Sequence, residues 1–214
     1  SRVILKGIDG PITSEQEEDL TSIYNNGQHL LHLINEILDM AKIESGKMSM
    51  TFEEVDLGKA AKSTLANIRS LIKPNVDLIS DIASDLPPIQ ADPIRIRQIL
   101  INLLSNAAKF TEDGYINLKV SLADEEHLLV TISDTGLGIA EEDMDKLFKA
   151  FEQADNSTTR TAGGTGLGLP ITLWLVRMHN GSLSLDTKYG EGTTFYIRLP
   201  LVQPEKQKAV AFNV

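Results

Sequence analysis

Gly163, Gly164, Gly166 and Gly168 stand just ahead of an apolar run that opens with Leu169-Pro170. Glycine permits left-handed backbone and close approach but costs conformational entropy, so something must come very near this backbone or the loop must be free to move. Amides freed at the mouth of a helix, with Pro170 in its first turn, form a ready anion site. A flexible hinge explains the same glycines, and both uses can hold together. A P-loop is excluded because no GxxxxGK[ST] occurs. Gly164-x-Gly166-x-Gly168 also lacks the dinucleotide spacing and follows a polar loop rather than a strand.

Two further clusters could meet the same ligand. Arg95, Gln98, Asn102, Asn106 and Lys109 recur every three or four residues, which aligns them on one side of a helix. Asparagine competes for backbone hydrogen bonds and is a poor mid-helix residue. An amide oxygen there could ligate a hard cation such as Mg²⁺ while Lys109 meets phosphate, although a solvated polar face is the simpler reading of an isolated helix. Leu128, Val130 and Ile132 share one face of a strand, and Asp134 continues that face at its end. Its carboxylate could accept from an exocyclic amine, with Gly136 and Gly138 letting a flat ring near the backbone. A strand-end turn with an Asx cap fits equally well. A fourth stretch, Gly190-Glu191-Gly192 running into Phe195, Ile197 and Leu199, is by itself only a hairpin.

The elements that must position these residues follow from period and punctuation. Thr13/Gln16 and Ser14/Glu17 form overlapping capping boxes after Gly10-Pro11. Behind them, Leu20 to Ala41 carries an apolar stripe at helical spacing, ending near Ser45-Gly46. The stripe is wide enough for packing against other helices. Alternation at Met48, Met50 and Phe52 predicts a strand, and Leu57–Ile72 a helix closed by Lys73-Pro74. Strands are expected at Val76–Ile82 and Pro88–Ala91, a helix at Pro93–Lys109, and strands at Tyr115–Leu122 and His127–Asp134. A short helix is expected at Glu141–Leu147, a polar loop at Gln153–Gly166, a helix at Leu169–His179, and strands at Ser182–Thr187 and Thr193–Leu201. Hairpins alternating with helices predict an α/β two-layer sandwich, a mixed sheet with helices on one face, preceded by a long bundle-type helix. The expected domains are 1–47, 48–202 and a loose tail, 203–214.

Bulk properties narrow the function. The 214 residues carry a formal charge of −10 and no cysteine. That excludes disulfides and thiolate chemistry, fits a cytoplasmic location, and argues against general binding of nucleic acid phosphates. An acidic chain that binds an anion must do so locally, with backbone amides, a few cations or a metal ion. The longest apolar runs are short of a membrane span.

Taken in order, the clusters resemble the ATP-binding catalytic domain of sensor histidine kinases, within the gyrase/Hsp90/histidine kinase/MutL superfamily. The N box looks like Asn102 to Thr111, the first glycine box like Asp134 to Gly138, and the F box like Leu147 to Phe151. The second glycine box matches Gly164 to Leu169, and the last matches Gly190 to Phe195. The resemblance implies a Bergerat-type fold that binds ATP or ADP with Mg²⁺. It places adenine on Asp134, the metal on Asn106, Lys109 near phosphate, and the amides of Gly164–Gly168 at the phosphates. The nucleotide-binding set it implies is Asn102, Asn106, Lys109, Phe110, Asp134, Gly136, Gly138, Ile139, Gly164, Thr165, Gly166, Leu167, Gly168 and Thr194. Phe148, Phe151 and Arg160 would belong to a mobile lid.

The segment from Asn25 to Met48 is similar to the second helix of the same family's dimerisation and phosphotransfer bundle. The phosphoacceptor of that family lies in a His-Glu/Asp context. Here His29, His32 and His127 precede leucine and His179 precedes asparagine, so the acceptor is expected upstream of Ser1. His29 and His32 could be a metal pair, though ordinary helix surface is the simpler reading. The resemblance implies γ-phosphoryl transfer to a histidine-bearing helix, then a response regulator as partner; the orphan apolar stripe of the long helix is expected to self-associate, giving a homodimer. Asn102 stands where hydrolytic relatives place a glutamate base, which implies slow ATP hydrolysis. A serine kinase of the anti-sigma type and a nucleotide-gated interaction module are the competing readings. Transfer of label to phosphohistidine separates them.

Overall fold

The computed structural model describes residues 1–8, 10–150 and 165–203. The chain divides into two compact units, Ser1–Met48 and Ser49–Val214. The first holds α1 (Arg2–Leu5) and α2 (Ser14–Glu44). α2 begins in a capping box: the Thr13 hydroxyl accepts from the Gln16 amide at 3.2 Å, and the Gln16 side chain accepts from the Thr13 amide at 3.0 Å. Its apolar stripe is largely exposed, with Ile23, Leu30, Leu31, Ile34, Ile37 and Leu38 all open to solvent.

The second unit contains β1 (Glu53–Val55), α3 (Leu57–Ile68), β2 (Val76–Ile82), β3 (Ile89–Ala91), α4 (Pro93–Phe110), β4 (Gly114–Leu122), β5 (His127–Asp134), α5 (Gly168–Met178), β6 (Ser182–Lys188) and β7 (Gly192–Pro200). Five strands form one sheet in the order β2-β4-β5-β7-β6, and β1 pairs with β3 apart from it. β2 runs parallel to β4 and the other pairings of the large sheet are antiparallel, so the sheet is mixed.

One face of that sheet is dry. Ile116, Leu118 and Val120 of β4, Leu128, Val130 and Ile132 of β5, and Phe195, Ile197 and Leu199 of β7 are all buried. They meet the apolar sides of the helices, among them Leu65, Ile99, Leu103, Leu104, Ile171 and Leu175. Each fully buried Leu or Ile contributes on the order of 1.5–3 kcal/mol. The opposite face carries Lys119, Thr131, Tyr196 and Arg198, which are partly or fully exposed. The two-layer α/β sandwich expected from the order of elements is what forms.

Three details differ from the periodicity. The strand expected from Met48 begins instead at Glu53, opposite Ala91. Before it, the Thr51 amide is taken by the Asp92 carboxylate at 2.9 Å, a side-chain partner in place of a ladder. The helix expected to Ile72 stops at Ile68 and continues as a 3₁₀ turn, Arg69–Leu71. The short helix at Glu141–Leu147 is also 3₁₀, over Glu141–Lys146.

Candidate functional site

Asp134 closes the inward face of β5, one step beyond Ile132, and is half-buried. Its Oδ1 accepts from the Gly136 amide at 2.9 Å, and the Thr193 amide also donates to the carboxylate. Burial raises its pKa above the usual carboxylate range, outweighing the two amides that pull it down. An ionised carboxylate has about four acceptor positions, so two amides leave room for a further donor.

The loop after Asp134 is stitched to both neighbours. A Cβ on Gly136 would lie 2.5 Å from the Phe110 carbonyl, the same oxygen that accepts from the Leu137 amide at 3.1 Å. Gly138 has φ +67°, and a Cβ there would lie 2.1 Å from the Lys188 carbonyl. Glycine is therefore demanded by the chain's own backbone at both positions, a different reason from the approach of a flat ring expected above. The Ile139 amide donates to Thr187 Oγ1 at 2.9 Å, and the Gly190 amide to the Leu137 carbonyl at 2.7 Å.

On α4, Asn102 is buried and its amide is spent on α5. Nδ2 donates to the Gly168 carbonyl at 3.2 Å and to Thr172 Oγ1 at 3.4 Å, and Thr172 itself donates to Gly168 at 2.8 Å. Asn102 thus fixes where α5 begins. Asn106 and Lys109 follow along the same stripe, both half-exposed. The Lys109 ammonium lies 4.9 Å from the centroid of the Phe110 ring, and burial lowers its pKa.

The start of α5 is chemically distinctive. Thr13, Asp56 and Asp92 cap α2, α3 and α4 with side chains, whereas α5 has no side-chain cap. Thr165 Oγ1 accepts from the Leu167 amide at 3.1 Å, the Ile171 amide donates to the Leu167 carbonyl at 3.0 Å, and Pro170 has no N–H. Among the described residues, the amides of Gly168 and Leu169 are what remain at the positive end of the helix.

One expected residue sits elsewhere. Thr194 follows inward Thr193 and precedes inward Phe195, so strand alternation turns it to the opposite face, where its hydroxyl donates to Ser133 at 3.1 Å. The residue beside Asp134 is Thr193, its register partner across β5 and β7. Alternation counted back from Phe195 could have found it. Phe148 is described, in the turn after the 3₁₀ segment. Phe151, Arg160 and Gly164 lie outside the described residues, as does most of the expected lid.

The periodic reading also missed the anchor at the far ends of α4 and α5. Asp92 caps α4, accepting from Ile94 and Arg95 at 3.0 and 3.2 Å. Its own amide donates to Nε2 of fully buried His179, whose Nδ1 contacts the Leu175 carbonyl at 2.7 Å. That pattern makes His179 a neutral imidazole with the proton on Nδ1. Phe52 meets its ring edge-on at 5.6 Å. His32 faces Glu36 at 3.5 Å, and among the described residues no group of three or more His, Cys, Asp or Glu could hold a metal.

Residues 91–203, more than half of the chain, match the family of histidine kinase-, DNA gyrase B-, and HSP90-like ATPases. The chain belongs to that family. It is 39% identical over its full length to the circadian input-output histidine kinase CikA of Synechococcus elongatus, spanning 29% of that protein. It is also 39% identical to the sensor protein GacS of Pseudomonas syringae pv. syringae, over 95% of this chain and 23% of GacS. The chain therefore spans about a quarter of the length of these relatives. Among solved structures it resembles full-length ShkA in complex with AMPPNP, with TM-score 0.76 and 29% identity over 92% of this chain and 41% of that one. It also resembles the catalytic domain of histidine kinase ThkA, with TM-score 0.60 and 27% identity over 72% of this chain and 99% of that one. The unit that carries Asp134 and Asn106 is a histidine-kinase-type ATPase domain.

Proposed function

We propose that this chain binds ATP·Mg²⁺ and holds it for transfer of the γ-phosphoryl group to a histidine on a phosphotransfer helix. The observation that carries the reading is Asp134, a half-buried carboxylate with acceptor capacity to spare, set at the end of β5 just before the loop that bonds to the end of α4. The residues present fit the group. Asp134 accepts the exocyclic amine of adenine. The Gly168 and Leu169 amides at the uncapped start of α5 receive phosphate oxygens, as does the second glycine box ahead of them. The Asn106 amide oxygen and the phosphates hold Mg²⁺, and Lys109 adds a charge. Because burial already disfavours its ammonium, Lys109 gains more from a phosphate partner than an exposed lysine would.

Bound ATP·Mg²⁺ supplies the phosphoryl group and the neutralising charge. The chain's own residues position it, which is most of what such transfer asks of a protein. The bond from the γ-phosphorus to the β-bridging oxygen breaks, a P–N bond to imidazole forms, and ADP leaves. Asn102 offers no base for activating water, and its Nδ2 is engaged on α5, so hydrolysis without an acceptor is slow. The exposed apolar stripe of α2 supports a homodimer through that helix, and the resemblance of its sequence to the family's second bundle helix supports an acceptor helix and a response regulator as partners.

The test adds a separate protein bearing the histidine-containing helix to the 214-residue chain and γ-labelled ATP. Acid-labile phosphohistidine is the expected product. Label appearing on serine, or released as inorganic phosphate at several turnovers per minute, would overturn the reading.

A further inference from the structure

Thr172 is fully buried in α5, yet its hydroxyl is spent entirely on one backbone carbonyl and one neighbouring side chain. Oγ1 donates to the Gly168 carbonyl, four residues back, at 2.8 Å. A threonine that bonds back along its own helix is ordinary. Here a second helix joins in: Asn102 Nδ2 of α4 donates to the same carbonyl at 3.2 Å and to the same hydroxyl at 3.4 Å. The three groups close a ring in which every proton has a place. The Gly168 carbonyl can only accept, so it takes the single Thr172 proton and one Asn102 amide proton. The other Asn102 proton falls on a Thr172 lone pair.

What the ring holds is a peptide unit. Gly168 has no side chain through which packing could fix it, and α5 has no side-chain cap. The peptide bond is planar, so the Gly168 carbonyl and the Leu169 N–H point in opposite directions as one rigid plate. Two side-chain donors on the carbonyl therefore help set the direction of that N–H, which leaves the helix at its positive end. Hydrogen bonds accepted at one end of a peptide also polarise the other, which makes the N–H a stronger donor. Gly168 and Leu169 are half-exposed whereas Thr172 is out of reach of solvent, so Thr172 can act on a ligand only through this plate.

We propose that Thr172 is a positioning residue for the phosphate end of the site: with Asn102 it aims the Leu169 amide at a phosphate oxygen. This rests on the nucleotide reading above. It gives Asn102 its work on α5 rather than on the nucleotide. Valine in place of Thr172 keeps the branched shape but removes the proton. Among the described residues, Asn102 is then the one side chain left on the carbonyl, and one of its own protons loses its acceptor. The plate tilts more freely, and affinity falls for a ligand that carries phosphates but not for one that lacks them.

The experiment titrates the isotope-labelled 214-residue chain with ATP·Mg²⁺ and with adenosine by NMR, for the wild type, Thr172→Val and Thr172→Ser, with thermal midpoints in parallel. In the wild type the Gly168 and Leu169 amide resonances move with ATP·Mg²⁺ and stay in place with adenosine. Thr172→Val binds ATP·Mg²⁺ about tenfold more weakly, the scale of one hydrogen bond, and binds adenosine within about twofold of the wild type. Thr172→Ser keeps the wild-type affinity for both, and Thr172→Ala is a second hydroxyl-free variant should the valine protein not fold. Three results would each overturn the inference while leaving the nucleotide reading in place: unmoved Gly168 and Leu169 amides in the ATP-saturated wild type, unchanged ATP affinity without the hydroxyl, or an equal loss for ATP and adenosine. A wild-type chain that binds neither ligand would overturn both.

Discussion

A carboxylate kept half out of water, as Asp134 is, binds its proton more tightly in the folded chain than in the unfolded one. Its folded pKa lies above the unfolded value. The proton-linked stability is therefore fully present below the unfolded pKa, near pH 4, and is lost as pH rises through the folded one. Asp134→Asn removes this dependence. The thermal midpoint of the wild type, measured against that variant, should fall as pH rises above the unfolded value of about 4. Parallel midpoints across this range would contradict the assigned desolvation. The same substitution turns an acceptor partly into a donor, so ATP affinity should drop at least tenfold, about 1.4 kcal/mol, by isothermal titration. Equal affinity would remove Asp134 from the adenine role. The acceptor character of Asp134 was legible in the sequence from its place after Leu128, Val130 and Ile132. The reason for Gly136 and Gly138 was not, because their Cβ conflicts are with Phe110 and Lys188, residues remote in sequence.

α5 is tied to α4 at both of its ends, by Asn102 on Gly168 and by Asp92 on His179. Neither tie follows from helical periodicity, which locates the helices but not their cross-links. That is also why Asn102 reads as a ligand in the sequence and as a tether in the fold. Thr194 went astray for a simpler reason: a motif names adjacent residues, but only alternate ones share a face. The His179 tie has a consequence in pH. Burial lowers the pKa of His179 below its ordinary value, more than the Leu175 carbonyl and the nearby Asp92 charge raise it. A group with a depressed cationic pKa stabilises the fold in its neutral form. That stability is complete above the unfolded value of about 6.5 and is lost as pH falls toward the folded one. Protonation would also cancel the acceptor that Nε2 offers to the Asp92 amide. The urea midpoint of the wild type should decline on acidification from about pH 7.5 to about pH 5.5 more steeply than that of His179→Gln, whose amide oxygen can still accept. Equal slopes would show that His179 is not the group responsible.

At the scale of the whole chain, the two units differ in how completely they bury their apolar residues. The sheet and its helices enclose a continuous core, whereas α2 leaves Ile23, Leu30, Leu31, Ile34, Ile37 and Leu38 exposed. A stripe of that extent is rarely left in water. Sedimentation at micromolar concentration should show a dimer, and Leu31→Glu with Leu38→Glu should return it to monomer. A wild-type monomer would contradict association through α2. No helix among the described residues is long and apolar enough to cross a membrane. The order of strands and helices was legible because each element's period is local, and so was the mixed character of the sheet. The separate β1–β3 pair was not, because the partner taken by Thr51 is the Asp92 carboxylate, 41 residues away. Nucleotide binding is the claim on which the kinase reading stands. The measurement that tests it most directly is titration of ATP·Mg²⁺ into the 214-residue chain, followed by calorimetry. One site per chain, abolished or weakened at least tenfold in Asp134→Asn, is predicted. No saturable heat from the folded wild type, at nucleotide concentrations up to several millimolar, would contradict the account.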